Sequence, residues 1–240
     1  LAQGDIEQLF SLFQGYYDSI SFDAFLKDLQ AKDRIILLRD QAGVIHGFST
    51  LRFFDIKLEN RLVGGVFSGD TVVAKTHWGD RSLGKAFLYE LFHQRLRHPF
   101  RPLYWALISK GYKTYLLMTN NVPVHWPRYE QPTPRSDQVL LDAFGSHLFP
   151  EYFDPARGVV KFPKSQGQLK AGVADISDDL LPNPRIAFFK QRNPGWSQGE
   201  ELMCLARMDW SLPLRYAWKA WCGGKQSRPM TQLSHERHPS

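Results

Sequence analysis

Residues 62–86 read Leu62-Val63-Gly64-Gly65-Val66-Phe67-Ser68-Gly69-Asp70-Thr71-Val72-Val73-Ala74-Lys75, then Thr76-His77-Trp78-Gly79-Asp80-Arg81-Ser82-Leu83-Gly84-Lys85-Ala86, and this stretch decides the fold class. The first part is a strand pattern: Val66, Ser68, Asp70, Val72 and Ala74 alternate onto one face, and Phe67, Gly69, Thr71 and Val73 onto the other. The second part is a polar turn containing glycine. Leu83, Phe87, Leu88, Leu91, Phe92 and Leu96 then recur at helical spacing, and Pro99 bounds that helix. A helix start exposes unpaired N–H groups and the positive end of the helix dipole, so it suits a phosphate. Arg81 and Lys85 add full positive charge at that end.

Outward from this junction the order is regular. Asp5 is placed to cap a first helix with Ile6, Leu9, Phe10 and Phe13 on one face, and Ser21 to cap a second with Phe22, Phe25, Leu26 and Leu29. Arg34–Arg39 and Val44–Phe54, joined through Asp40-Gln41-Ala42-Gly43, predict a β-hairpin. After the central helix, Leu103–Ser109 predicts a strand and Lys110–Met118 a helix. Asn120–Arg135 has loop composition, and Gln138–Phe149 predicts a helix through Leu140, Leu141, Phe144 and Leu148. Residues 150–182 are rich in Gly, Pro and Lys and suggest a flap. Strand character returns at Arg185–Phe189 and Glu201–Met208.

With 240 residues, 43% hydrophobic and 22% charged, the chain is long enough for one substantial core and too balanced for wholesale disorder. No run approaches the roughly 18 apolar residues of a membrane-spanning helix. Two cysteines, Cys204 and Cys222, exclude a disulfide scaffold, and Cys204 lies in an apolar strand pattern as a packed thiol. The chain opens on Leu1 without a run of signal-peptide type, so a cytoplasmic location is the expectation. The eight histidines lack metal-ligand spacing, and no metal is predicted. A net charge of +6 favours an anionic ligand. Nucleic acid is not expected, because the basic residues are dispersed and no helix-turn-helix, zinc-finger or RNA-binding aromatic signature occurs.

Arg81-Ser82-Leu83-Gly84-Lys85-Ala86 resembles the Arg/Gln-x-x-Gly-x-Gly/Ala signature of the GCN5-related N-acetyltransferase (GNAT) superfamily, and it stands after a long strand and at the start of a long helix, as in that family. The helix, helix and hairpin before it, and the strand and helix after it, follow the same order over residues 1 to about 120. The resemblance, to a divergent member, implies an α/β fold of layered α+β type: a mixed, mainly antiparallel central sheet flanked by helices, with an elaborated C-terminal half. The expected organisation is a single domain over residues 1–222, with an insertion or flap at about 120–184 and a flexible tail at 223–240.

The resemblance also implies a chemistry. Acetyl-CoA or a longer acyl-CoA would place its pyrophosphate on Arg81, Ser82, Leu83, Gly84, Lys85 and Ala86, and run its pantetheine arm along Val72, Val73 and Ala74. An acceptor amine, whether small molecule, amino acid, peptide terminus or protein lysine, would then attack the thioester. That attack needs a base and a proton for the thiolate. Asp70 is the first candidate base and His77 the second, while Tyr112 and Tyr115 are candidate acids. Each has a plainer role beside the chemical one: a strand-edge carboxylate or partner of Arg81, a solvated turn histidine, and core-filling tyrosines. His125, Trp126, Arg128 and Tyr129 either line an acceptor pocket or pin their loop to the core.

The mixed aromatic and basic segment Leu212–Trp221 suits a C-terminal helix, peripheral contact with an anionic membrane, or docking of an acyl carrier protein. Two departures from the family pattern stand out: the Lys75–Asp80 linker is long, and the segment after Met118 lacks the compact ending with Tyr and a Gly-Phe pair. A GNAT-like module that binds CoA or another anion without catalysis is the alternative reading.

Overall fold

The computed structural model describes residues 1–18, 20–163, 168–169 and 175–212. The chain runs α1 (Gln3–Gln14), β1 (Tyr17–Asp18), α2 (Phe22–Gln30), β2 (Arg34–Arg39), β3 (Ile45–Leu58), β4 (Arg61–Val73), α3 (Ser82–Arg97), β5 (Leu103–Ser109) and α4 (Tyr112–Asn121). It continues through β6 (His125–Trp126), α5 (Arg135–Leu148), β7 (Phe153–Asp154), β8 (Val159–Lys161), β9 (Gln168–Leu169), α6 (Pro184–Arg192) and β10 (Glu200–Arg207). The helix, helix, hairpin, long strand, helix, strand, helix order expected from the sequence is observed, with the two-residue β1 added between the first two helices.

The main sheet has the order β2-β3-β4-β5-β10-β8-β7, with β6 also on β10, and β1 pairs with β9 in a separate two-stranded ladder. Among the described residues every ladder of the main sheet is antiparallel except β4–β5. Two parallel neighbours need a crossover, and α3 is that crossover. The architecture is thus a mixed, mainly antiparallel sheet flanked by helices.

Each face of the sheet carries its own core. Leu9 and Phe13 of α1 and Phe25 and Leu29 of α2 pack on Ile45, Phe48 and Val72. On the same face, Leu141 and Phe144 of α5 pack on Phe67, Tyr104, Met203 and Leu205. The opposite face receives α3, where the Phe87 ring lies 4.9 Å from Trp105 and the Trp105 indole N–H donates to Ser68 Oγ at 2.9 Å. Tyr115 of α4 packs against Phe188 and Phe189 of α6. Burying one such large apolar side chain is worth about 1.5–3 kcal/mol, so these contacts fix where each helix lies. Leu1–Asp209 forms one compact unit.

Four sequence expectations change. Ser21 does cap α2, its Oγ accepting from the Ala24 N–H at 3.1 Å, but Asp5 lies inside the first turn of α1 and accepts from the Ala2 N–H at 3.2 Å. Arg185–Phe189 is helical: Pro184 opens α6 at its first turn, and Asn183 caps it by accepting from the Arg185 N–H at 3.0 Å. The apolar residues Ile186 and Phe189 mark one buried helical face, so strand character there was composition without period-2 alternation. Part of residues 150–182 is anchored, since Val159 and Val160 of β8 are fully buried beside β10. The strict alternation along β4 fails at Gly69–Asp70, where the register shifts. Residues 213–240, which hold most of the basic aromatic segment and the expected tail, lie outside the described residues.

Gly65 faces Phe54 across the β3–β4 ladder, and a Cβ there would run into the Phe54 ring. Gly65→Ala is expected to destabilise the protein by about 1–3 kcal/mol, as overpacking does, seen as a lower urea midpoint at unchanged slope.

Candidate active site

The site begins with a backbone irregularity. Ser49 pairs with Thr71 and Leu51 with Ser68, so Thr50 faces two residues, Gly69 and Asp70, where one would fit. This is a β-bulge, which bends its strand and sharpens its twist. The bend needs glycine, because a Cβ at position 69 would lie 2.6 Å from Thr50 Oγ1 and 2.8 Å from Lys32 Cε. The parallel ladder between β4 and β5 spans Gly64–Ser68 and Leu103–Leu107 and stops one residue before the bulge. Beyond it the two strands part, and β4 continues to Val73 on β3 alone.

The bulge also re-aims the side chains. Before it, Ser68 faces α3; after it, Val72 faces α1 and α2. Asp70 therefore sits half-buried at the parting, with its carboxyl in electrostatic reach of Asp28, Lys32, Lys110 and Glu201. Burial is the main cause that pushes its pKa up to about 7; the negative charges of Asp28 and Glu201 raise it further, while Lys32 and Lys110 pull it down. The cations are themselves engaged: Lys32 Nζ lies 2.5 Å from Asp28, and Lys110 Nζ 3.1 Å from Glu201.

Glu201 and Lys110 meet because the β10–β5 register sets Leu202 opposite Ser109. Lys110 Nζ also lies 5.2 Å from the centre of the Tyr17 ring, and burial, followed by the charges of Asp70 and Glu201, raises the Tyr17 phenol pKa. Tyr17, Lys32, Lys110 and Glu201 escaped the sequence reading. For Lys110 and Glu201 the only local signal was charge at the ends of apolar strands, and the β10–β5 register brings those two ends together.

On the α3 side lies the helix start. Leu83 is buried, while Ser82, Gly84 and Lys85 are exposed, and a Cβ at Gly84 would meet nothing within 4 Å. Asp80 Oδ1 accepts from the Ser82 N–H at 2.7 Å, and that hydrogen bond holds the Asp80 carboxyl below the usual carboxylate range. Between β4 and α3, Lys75–His77 makes one tight helical turn and Gly79 takes φ +99°, a left-handed conformation that glycine adopts without strain. The Trp78 indole N–H donates to the Val73 carbonyl at 2.9 Å.

The remaining candidates divide. His77 stacks on His46 at 4.0 Å, with Nδ1 3.0 Å from Thr76 Oγ1. Tyr112 is half-buried at the first position of α4, directly after Lys110 and Gly111. Tyr115 is 1% exposed and its hydroxyl donates to the Pro127 carbonyl at 3.1 Å, while burial raises its pKa. His125 and Trp126 are buried in β6 against β10, and Arg128 donates to the Pro123 carbonyl and to Glu130, so this loop is pinned to the core. Cys204 is fully buried, and burial raises its thiol pKa. Among the described residues no cluster of His, Cys, Asp and Glu is arranged to hold a metal ion, and no helix is long and apolar enough to cross a membrane.

No protein-family model matches the chain, and no curated protein does. Among solved structures, it is similar to a crystal structure of a Trypanosoma brucei acetyltransferase, at 21% identity and a TM-score of 0.35, over 56% of this chain and 94% of that one.

Asp70 holds its proton to about pH 7 when folded, against 3.8 for an ordinary aspartate, so the native state binds more protons between those values and loses stability as pH rises through them. Asp70→Asn removes that loss. The variant is expected to gain roughly 2–4 kcal/mol relative to the parent protein at pH 8 and nothing at pH 3.5, measured by urea unfolding across pH.

Proposed function

We propose that the chain is an N-acyltransferase that moves an acyl group from acyl-CoA, or from an acyl carrier protein, to a primary amine by direct attack on the thioester. The observation that carries this reading is the parting of β4 from β5 beside Asp70. An open strand edge accepts an extended, amide-bearing arm as an added strand, which is what Val72, Val73 and Ala74 would offer to pantetheine. The start of α3 would take the pyrophosphate on its N–H groups from Ser82 to Ala86, with Arg81 and Lys85 supplying charge. These two contacts would set the thioester at the parting.

The amine must shed a proton to attack. Its nitrogen forms a bond to the thioester carbon, the carbonyl electrons move to oxygen, and collapse of that oxyanion breaks the C–S bond and releases a thiolate that takes up a proton. Asp70 is assigned as the base, acting directly or through one water, because a carboxyl that titrates near pH 7 can both accept and release a proton at neutral pH. His77, engaged with His46 and Thr76, ranks second for that role. Tyr112 is the candidate donor to the thiolate, and the commitment of the Tyr115 hydroxyl to Pro127 supports a packing role for that residue.

Two measurements test the reading. Isothermal titration with acetyl-CoA and longer acyl-CoAs is expected to show binding, and Gly84→Glu, at an exposed position where a Cβ meets nothing within 4 Å, is expected to weaken it roughly tenfold or more by placing an anion beside the phosphates. Binding by neither thioester class overturns the proposal. With a panel of amines, turnover is expected to rise through pH 7. Asp70→Asn is expected to lower kcat about a hundredfold or more and to abolish that limb; binding without turnover of any amine would favour the non-catalytic alternative.

A further inference from the structure

The Lys75–Asp80 linker lays two of its own side chains on the contacts that the acyl-CoA reading assigns to the donor. The Ala74 N–H donates to His46 O on β3 at 2.7 Å. Across a trans peptide the C=O points opposite to the N–H, so the Val73 carbonyl points away from β3, into the parting. That carbonyl is taken by the Trp78 indole N–H at 2.9 Å. Trp78 is 55% exposed, an unusual setting for a large aromatic ring, and Lys113 Nζ of α4 lies 5.3 Å from the ring centre, so the indole spans from the edge of β4 to the helix that follows β5. Two residues on, the Asp80 carboxylate takes the Ser82 N–H at the start of α3.

We infer that Trp78 and Asp80 form a tethered stand-in for the acyl donor, the indole N–H replacing an amide of the pantetheine arm and the carboxylate replacing a phosphate. This rests on the acyl-CoA reading above. The linker acts as an intramolecular competitor: the donor binds by displacing both contacts, and Gly79 supplies the backbone freedom for the linker to swing aside.

The two halves of the stand-in are separable by ligand chemistry. Trp78→Phe keeps a ring for Lys113 and removes the donor; Asp80→Asn removes the anion. Both positions are exposed, so both variants are expected to fold, checked by an unchanged Tm. In isothermal titration of the full chain, Trp78→Phe is expected to tighten CoA roughly two- to tenfold, the range of one hydrogen bond, and to leave 3′-phospho-ADP, which lacks pantetheine, unchanged. Asp80→Asn is expected to tighten both ligands. If the parent protein binds CoA and the variants bind it equally or more weakly, the stand-in is overturned while the acyl-CoA reading survives. If neither the parent protein nor any variant binds CoA, both fall together.

Discussion

One extra residue in β4 governs the arrangement around it. Thr50 must face both Gly69 and Asp70, the extra residue bends the strand there, and glycine at 69 avoids a Cβ that would crowd Thr50 and the Lys32 stem. The bend ends the parallel ladder at Ser68 and Leu107, and it moves Val72 to the opposite face from Ser68. Without it, the β4–β5 ladder would run on in register toward Asp70 opposite Ser109, the end of β5, and Asp70 would stand on the same face as Ser68. A local break in alternation therefore creates the parting of β4 from β5 and sets Asp70 beside it.

Two carboxylates ten residues apart show how environment assigns roles. Asp70 is pushed up to about 7, chiefly by burial, whereas Asp80 is exposed and held low by the Ser82 N–H. The first is suited to exchange a proton at neutral pH; the second stays an anion and satisfies a helix start. The charges around Asp70 form an ordered set, since Lys32 and Lys110 are bound to Asp28 and Glu201 and so only partly offset the cost of burial. The shift survives because both nearby cations already have carboxylate partners.

Much of the fold was legible because it rests on local patterns. The spacing of Leu9 and Phe13, or of Phe25 and Leu29, is a property of one helix, and the alternation of Val66, Phe67 and Ser68 is a property of one strand. The candidate site was legible in part: Asp70 and the Arg81–Ala86 turn lie in one short stretch of chain. Tyr17, Lys110 and Glu201 were not, because they come from three distant segments: strand register joins Lys110 to Glu201, and a ring contact joins Tyr17 to Lys110. Arg185–Phe189 misled because branched and aromatic residues occur in both strands and helices, and the decisive signals were the Asn183 cap and the Pro184 start.

The sequence by itself determined the order of the main elements through α4, the glycine turn before α3 and the placing of positive charge at that helix start, since each depends on residues within one or two turns of one another. Only the tertiary structure decided that β4 carries a bulge, that it leaves β5 at Ser68, and that Trp78 and Asp80 fold back onto the strand edge and the helix start. Those outcomes depend on what stands opposite: Thr50 and Lys32 against Gly69, β3 against β4, and the Val73 carbonyl within reach of an indole. Spacing along the chain carries no record of such partners, because they are set by which strands pair and in what register.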